Sequence, residues 1–383
     1  MKGGVNMAFL GEDIRKLGFG LMRPPMLEGG AIDYPQLEKM VDMFLERGFT
    51  YFDTAYGYVQ GESEVAAGKT LVQRHPRESF QLATKLPAWA GANTEEEAKA
   101  MFFTSLERTG AGYFDFYLLH NLGATRTDSF YKYHIWEFVA EQKAKGLIKH
   151  VGFSFHDTAD KLDEILAKHH AEVEFVQLQI NYADWESGGV QSRKCHEVAW
   201  GKYGKPVVIM EPIKGGMLAN PVEGVKNVFD SAGTGASYSS WAIRFAASLP
   251  GVITVLSGMS TLEQMDDNTS YMQEFKPLSA EESALVVKAR EVLASVPQVQ
   301  CTGCDYCRPE CPQKIAIPSI FDAMNRKYVF QDEQSAKFGY MWGTGSGGKA
   351  SDCLSCGLCE AVCPQKIEII NTLKDAVAMF ETE

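Results

Sequence analysis

A chain of 383 residues with 45% apolar side chains is long enough for one large domain and a smaller one. Its net charge of -12, without any lysine- or arginine-rich run, excludes a nucleic-acid surface, and no stretch reaches the roughly 18 apolar residues of a membrane span. Residues 1–11 hold a single lysine and no apolar run of signal-peptide length, so a cytoplasmic protein is expected.

From Lys16 to Met272 short apolar runs alternate with helical patterns. Strands are predicted at Arg15–Met22, Thr50–Asp53, Phe80–Lys85, Phe114–His120, Ile148–Phe153, Phe175–Ile180, Pro206–Met210 and Gly251–Leu256. Helices are predicted at Tyr34–Arg47, Glu62–Val72, Glu95–Thr109, Phe130–Lys145, Thr158–Lys168, Gln191–Lys202, Tyr238–Ala247 and Thr261–Tyr271. In the first of these Leu37, Met40, Val41, Phe44 and Leu45 recur at helical spacing. Such alternation predicts an α/β fold, a (β/α)8 TIM barrel, which typically needs about 250 residues. A doubly wound sheet would favour a glycine fingerprint after its first strand, and Gly18-Phe19-Gly20-Leu21-Met22-Arg23 lacks it.

Barrel enzymes carry their chemistry where strands end. Asp53, Lys85 and His120 each close a predicted strand, and Tyr58 lies in the loop after the second. A carbonyl under reduction takes a hydride at carbon and a proton at oxygen. Tyr58 is the candidate acid, with Lys85 expected to lower its pKa, Asp53 to hold Lys85, and His120 to hydrogen-bond the carbonyl oxygen. Taken one at a time, such residues are more often structural; four at successive strand ends form a set. Trp89, Phe114, Tyr131 and Trp185 are candidates for lining an apolar pocket or for plain core.

Gly20, Asp53-Thr54-Ala55-Tyr56-Gly57-Tyr58, Ala83-Thr84-Lys85, Leu118-Leu119-His120 and Val151-Gly152-Phe153-Ser154 resemble, in order, the segments that mark the aldo-keto reductases. The resemblance implies a barrel that binds a nicotinamide cofactor without a Rossmann fold and interconverts carbonyls and alcohols. It also implies the tetrad Asp53, Tyr58, Lys85 and His120, with Tyr58 as general acid. By the same resemblance Ser154 and Gln177 hold the nicotinamide carboxamide. The family's next asparagine is Phe155 here, so that contact is lost or moved to His156. Met210, Glu211, Pro212, Ile213 and Gly215 match the loop that covers the cofactor, with Met210 where a ring-stacking tyrosine is usual. Ser257, Gly258, Gln264 and Asn268 match the adenosine end. Gly258 and Gln264 offer no cation for a 2′-phosphate, so NADH, NADPH or a flavin all fit this reading.

Helix Ala280–Leu293, followed by Pro297, reads as a bridge, dividing the chain into a barrel over 1–278, a helical linker over 279–296 and a small, mostly helical domain over 297–383. Eight of nine cysteines fall in the last part; the ninth, Cys195, reads as a small buried apolar residue. Cys301, Cys304, Cys307 and Cys311 precede Pro312, and Cys353, Cys356, Cys359 and Cys363 precede Pro364. Both runs have the C-x2-C-x2-C-x3-C-P spacing of bacterial two-cluster ferredoxins, whose fourth cysteine serves the other cluster. Two [4Fe–4S] clusters are therefore expected, one on Cys301, Cys304, Cys307 and Cys363 and the other on Cys353, Cys356, Cys359 and Cys311. Zinc would more usually take two C-x2-C pairs. Between the runs, Ile320–Tyr328 reads as a helix and Gly339–Lys349, with its glycines, as a loop whose Tyr340 and Trp342 cover a cluster or pack the loop. The whole chain resembles the aldo-keto reductases that carry a ferredoxin-like C-terminal domain.

A hydride carries two electrons and a cluster passes one. Three functions follow: an oxidoreductase acting on a small carbonyl or alcohol with clusters relaying electrons to or from a redox partner protein; a conventional reductase whose clusters are structural; or an electron-transfer subunit whose barrel is a scaffold or partner-binding platform.

Overall fold

The computed structural model describes residues 9–123, 126–330, 333–345 and 347–382, so most of the stretch 1–11 read for a leader lies outside the described residues. The chain divides into two compact units, Met1–Asn181 with Gln191–Pro212 and Ser240–Leu278, and Tyr182–Val190 with Ile213–Ser239 and Ser279–Glu383. Thus the segments after the sixth and seventh strands cluster with the cysteine-bearing part.

In the first unit eight parallel strands close a barrel, each paired with the next and the last with the first. They are β1 (Leu17–Gly20), β2 (Tyr51–Asp53), β3 (Gln81–Leu86), β4 (Phe114–Leu122), β5 (Ile148–Phe155), β6 (Phe175–Gln179), β7 (Val207–Met210) and β8 (Val252–Ser257). Nearly every strand residue is buried, as parallel strands covered on both faces require. Tyr51, Phe116, Leu118, Phe175, Val208 and Ile253 fill the interior. At Gly152, in β5, an added Cβ would lie 2.6 Å from the Phe175 carbonyl oxygen on β6. Gly152→Ala is expected to overpack this strand pair and destabilise the barrel by about 1–3 kcal/mol, read as a lower thermal midpoint; an unchanged midpoint would contradict the packing described.

The helices of this unit follow their caps. Helix α1 (Tyr34–Glu46) starts where the Asp33 carboxylate accepts from Gln36 N, and α2 (Glu62–Ala67) runs on through a wide turn to Val72. Helix α3 (Glu95–Thr109) has the predicted bounds because Thr94 caps one end and Gly110, at φ 63°, ends the other. The single helix expected over 130–145 is two, α4 (Thr127–Lys132) and α5 (Ile135–Ala144), broken where His134 takes φ 49°. Helices α6 (Ala159–His169) and α7 (Ser192–His196, continued by a wide turn to Lys202) follow.

The unpredicted α8 (Glu223–Asp230) belongs to the second unit. Helices α9 (Tyr238–Ala247) and α10 (Leu262–Met272) complete the barrel's order, and α11 (Ala280–Ser295) opens the C-terminal part with a Ser279–Glu282 capping box. Then come α12 (Cys307–Glu310), α13 (Ile317–Phe330), α14 (Glu333–Thr344), α15 (Leu358–Val362) and α16 (Ile369–Phe380). Ile317, Ile320, Phe321, Met324, Ile369 and Leu373 form a core around Cys307, Cys359 and Cys363.

The loop expected over 339–349 is corrected here. Gly339 and Gly343 lie inside α14, where an added Cβ at Gly343 would meet Ser319 Cβ at 2.6 Å. The glycines let α14 approach α13 closely, and that packing outweighs their roughly 1 kcal/mol helix penalty. Tyr340 is buried and stacked on Phe380, whereas Trp342 is exposed and stacked on Phe338.

Candidate active site and cysteine centres

The C-terminal ends of β2, β3 and β4 bring Asp53, Lys85 and His120 to one mouth of the barrel, with Tyr58 beside them. Lys85 Nζ donates to Asp53 Oδ1 at 2.5 Å, to Thr54 O at 2.8 Å and to Tyr58 Oη at 3.3 Å. The Tyr58 and His120 rings meet edge to face at 5.8 Å. Trp89 Nε1 donates to His120 O at 2.8 Å, fixing the strand end. The turn after Tyr58 is strained, since Val59 and Gln60 sit at φ 51° and 52°, an unfavourable region for a β-branched residue.

Electrostatics at this mouth differ from expectation in one respect. Burial, then Asp53 and Glu211, push the Tyr58 phenol well above its ordinary value, and Arg23 only partly opposes them. The lowered Tyr58 expected from Lys85 is therefore not found: desolvation of a phenolate outweighs the neighbouring cation. Burial likewise raises the Asp53 carboxyl and lowers the Lys85 ammonium, each drawn back by the other. Burial, Lys85, His156 and Arg126 hold His120 well below its ordinary value, leaving a neutral imidazole at pH 7.

The residues matched to a cofactor fall in several places. Ser154 Oγ accepts from Asn121 N at 2.8 Å, and Gln177 Nε2 reaches Met210 Sδ at 3.4 Å. Ser154 and Gln177 are cross-strand neighbours on β5 and β6. Gln177 Oε1 and both polar atoms of the Asn121 amide are buried with no hydrogen-bond partner among the described residues. Asn121, which sequence reasoning missed, sits at φ 59° directly after His120; its only sequence signal was a turn-tolerant residue closing a strand. Glu211, at φ 58°, accepts from Asn181 Nδ2 through its carbonyl, and Pro212 follows it, buried. At the last strand Asn268 Nδ2 donates to Ser257 Oγ at 3.0 Å, beside Gly258, while Gln264 Oε1 caps Ser260 N at 2.7 Å. Ile213 and Gly215 belong to the second unit. Of the four pocket aromatics, Trp89 is at His120, Phe114 is buried at the start of β4, Tyr131 is exposed near His169, and Trp185 belongs to the second unit.

In the second unit the cysteines form two groups. Cys311, Cys353, Cys356 and Cys359 line one cavity, walled by Pro312, Ile315 and Leu373. Burial pushes the Cys359 thiol up to about 11, with Glu360, Cys311 and Cys353 adding to the rise. The Cys307 thiol is raised by burial and then by Cys304, Cys301 and Cys363, which surround it. The two loops repeat one backbone pattern. Gly303 and Asp305 take φ 66° and 61°, and Ser355 and Gly357 take 54° and 79°. In each loop the first left-handed residue turns its amide onto a cysteine sulfur: Gly303 N reaches Cys301 Sγ at 3.4 Å and Ser355 N reaches Cys353 Sγ at 3.5 Å. Such concave runs of N–H groups suit an anionic centre such as an iron–sulfur cluster, so the residues fit that group. Among the described residues no three His, Cys, Asp or Glu side chains converge tightly enough for a single metal ion. Cys195 is buried in α7, its thiol pushed up to about 12 by burial.

Comparison with known proteins bears on both units. Residues 16–291 match the aldo/keto reductase family, and residues 300–368 match a 4Fe-4S dicluster domain. A probable aldo-keto reductase of Glycine max is 28% identical over 195 residues, 47% of this chain and 51% of that one. The chain thus spans about half the length of that relative. An uncharacterized oxidoreductase of Bacillus subtilis, YqkF, is 23% identical over 279 residues, 67% of this chain and 86% of that one. Among solved structures, the holo aldo-keto reductase AKR11C1 of Bacillus halodurans aligns with a TM-score of 0.58 at 25% identity, covering 74% of this chain and 95% of that one. An aldo-keto reductase of Klebsiella pneumoniae, solved with NADPH, aligns at 0.57 and 20% identity over 76% and 94%.

Proposed function

The chain belongs to the aldo/keto reductase family, and from that membership we propose an oxidoreductase that reduces a small carbonyl compound at the barrel mouth, with Tyr58 as proton donor. The observation carrying this reading is the contact of Lys85 Nζ with both Asp53 and Tyr58, edge-on to His120. When bound, a nicotinamide dinucleotide supplies a hydride and two [4Fe–4S] clusters supply single electrons exchanged with a partner protein. Tyr58, held firmly protonated, gives its proton to the carbonyl oxygen. Lys85 aligns that phenol and favours the phenolate left behind, and Asp53 fixes Lys85. Neutral His120 orients the oxygen as a hydrogen-bond donor. Ser154 and Gln177 would hold the carboxamide, and the Asn121 amide would supply the contact that Phe155 cannot make. The cysteines would hold the clusters in two crossed sets, Cys301, Cys304, Cys307 with Cys363, and Cys353, Cys356, Cys359 with Cys311. The parts so assigned run over 1–278, 279–296 and 297–383.

Anaerobically purified protein tests this with NADPH or NADH and a panel of small aldehydes and ketones. Consumption of reduced nicotinamide with any of them supports the reading. Absence of binding and of turnover with both nucleotides would favour the barrel as a scaffold.

The pH profile follows from the two shifts. His120 lies below 6.5 and so stays neutral down through that pH, while Tyr58 lies above 10 and keeps its proton up to it. A plot of kcat/KM for reduction is therefore expected to show no loss from His120 down to about pH 6.5 and none from Tyr58 up to about pH 10, with any alkaline fall before that set by the lowered Lys85 ammonium. A halving near pH 6.5 that vanishes in His120→Gln would contradict the assignment of His120 as neutral.

A further inference from the structure

The second unit holds two copies of one pentapeptide, Cys311-Pro312-Gln313-Lys314-Ile315 and Cys363-Pro364-Gln365-Lys366-Ile367. Both lysines take left-handed backbone, at φ 50° and 53°, so the two loops share a shape. Their glutamines do not share an environment. Gln313 is exposed, whereas Gln365 is only 8% exposed.

What buries Gln365 is the segment that follows β7. Lys214 is 1% exposed and its ammonium donates to Asp184 Oδ1 and, at 3.3 Å, to Gln365 Oε1. An ammonium has only donors, so it selects the amide oxygen and turns Nε2 away. That Nε2, with two N–H groups, is buried and has no partner among the described residues. A buried donor left without an acceptor is costly, so the site calls for an acceptor. The next residues of the loop press on the same centre: Gly215, at φ 65°, comes so near Thr302 that an added Cβ would lie 2.5 Å from its carbonyl oxygen. Thr302 stands between Cys301 and Cys304, and Gln365 stands two residues after Cys363. All three cysteines belong to one proposed ligand set.

We propose that Gln365 is a positioning residue that donates an amide N–H to a sulfur of the cluster held by Cys301, Cys304, Cys307 and Cys363, oriented by the buried Lys214–Asp184 pair. This rests on the cluster reading of those cysteines. Donors to cluster sulfur favour the reduced, more negative state and raise its potential. The cluster beside exposed Gln313 lacks this device, so the two centres are electronically distinct, and the segment after β7 is tied to one of them.

The test is an EPR-monitored redox titration of full-length, anaerobically reconstituted protein. Gln365→Leu should lower one of two midpoints and leave the other in place; Gln313→Leu should move neither. Lys214→Met with Asp184→Asn, which keeps the amide but frees it to turn, should lower the same midpoint in part. Equal effects of Gln365→Leu and Gln313→Leu, or no shift from Gln365→Leu, would overturn the inference. If Gln365→Leu fails to load iron, Gln365→Asn, one methylene shorter, gives the same reading: a lowered midpoint supports the proposal and an unmoved one sinks it. Wild-type protein that takes up no iron would overturn the cluster reading itself.

Discussion

Tyr58→Phe is expected to lower kcat/KM for carbonyl reduction by roughly 100- to 10,000-fold, the usual span for one lost general acid, with nucleotide affinity within about twofold of the wild type. The ring remains to pack against His120, and only the hydroxyl that Lys85 contacts is removed. Loss should therefore fall on kcat rather than on binding, because the proton is needed only as charge develops on oxygen. Lys85→Met should cost as much for a different reason. It removes the ammonium that donates to Oδ1 of Asp53, whose Oδ2 already lacks a hydrogen bond among the described residues. A buried carboxylate stripped of its ammonium is destabilising by about 3–5 kcal/mol, so the double variant Lys85→Met, Asp53→Asn separates lost chemistry from lost stability. Steady-state kinetics with a fluorescence titration of nucleotide give both numbers. Retention of full turnover in Tyr58→Phe would contradict the assignment of Tyr58 as the proton donor.

Removing iron is expected to unfold the second unit while the barrel keeps its own thermal transition. The core of that unit is built around Cys307, Cys359 and Cys363, with short helices α12 and α15 between cysteines. Helices of four and five residues have no independent stability in water. Structural metal sites contribute binding free energy on the order of 10 kcal/mol to folding, more than so small a core supplies alone. Chelation under reducing conditions should abolish protection of Ile317–Phe330 and Ile369–Phe380 in hydrogen exchange and leave β3 to β5 protected. Protection that survives complete iron loss would mean that the apolar packing suffices and the centres are dispensable to the fold.

Much of this architecture was legible in the sequence, and what was missed has physical causes. Buried parallel strands read as apolar runs, and capped helices such as α3 announce both ends. The order of Asp53, Lys85 and His120 along the chain placed them at successive strand ends, where they stand together. Gly339 and Gly343 misled because local propensity cannot see the close crossing of α13 and α14. The broken helix at His134 and the unread α8 depend on tertiary packing in the same way. Tyr58 misled because a nearby ammonium is visible in a motif, whereas depth of burial is not. The contacts of Asn121 and of the Lys214–Asp184–Gln365 chain could not be read locally, because the partners are between 30 and 151 residues apart along the chain.

Iron and acid-labile sulfide counted on one oxygen-free preparation, with EPR of the reduced sample, test the joined account most directly. Two cubanes predict about eight irons and about eight sulfides per chain and the spectrum of a pair of reduced [4Fe–4S] centres. Stoichiometric zinc in place of iron, with no such spectrum, would contradict it.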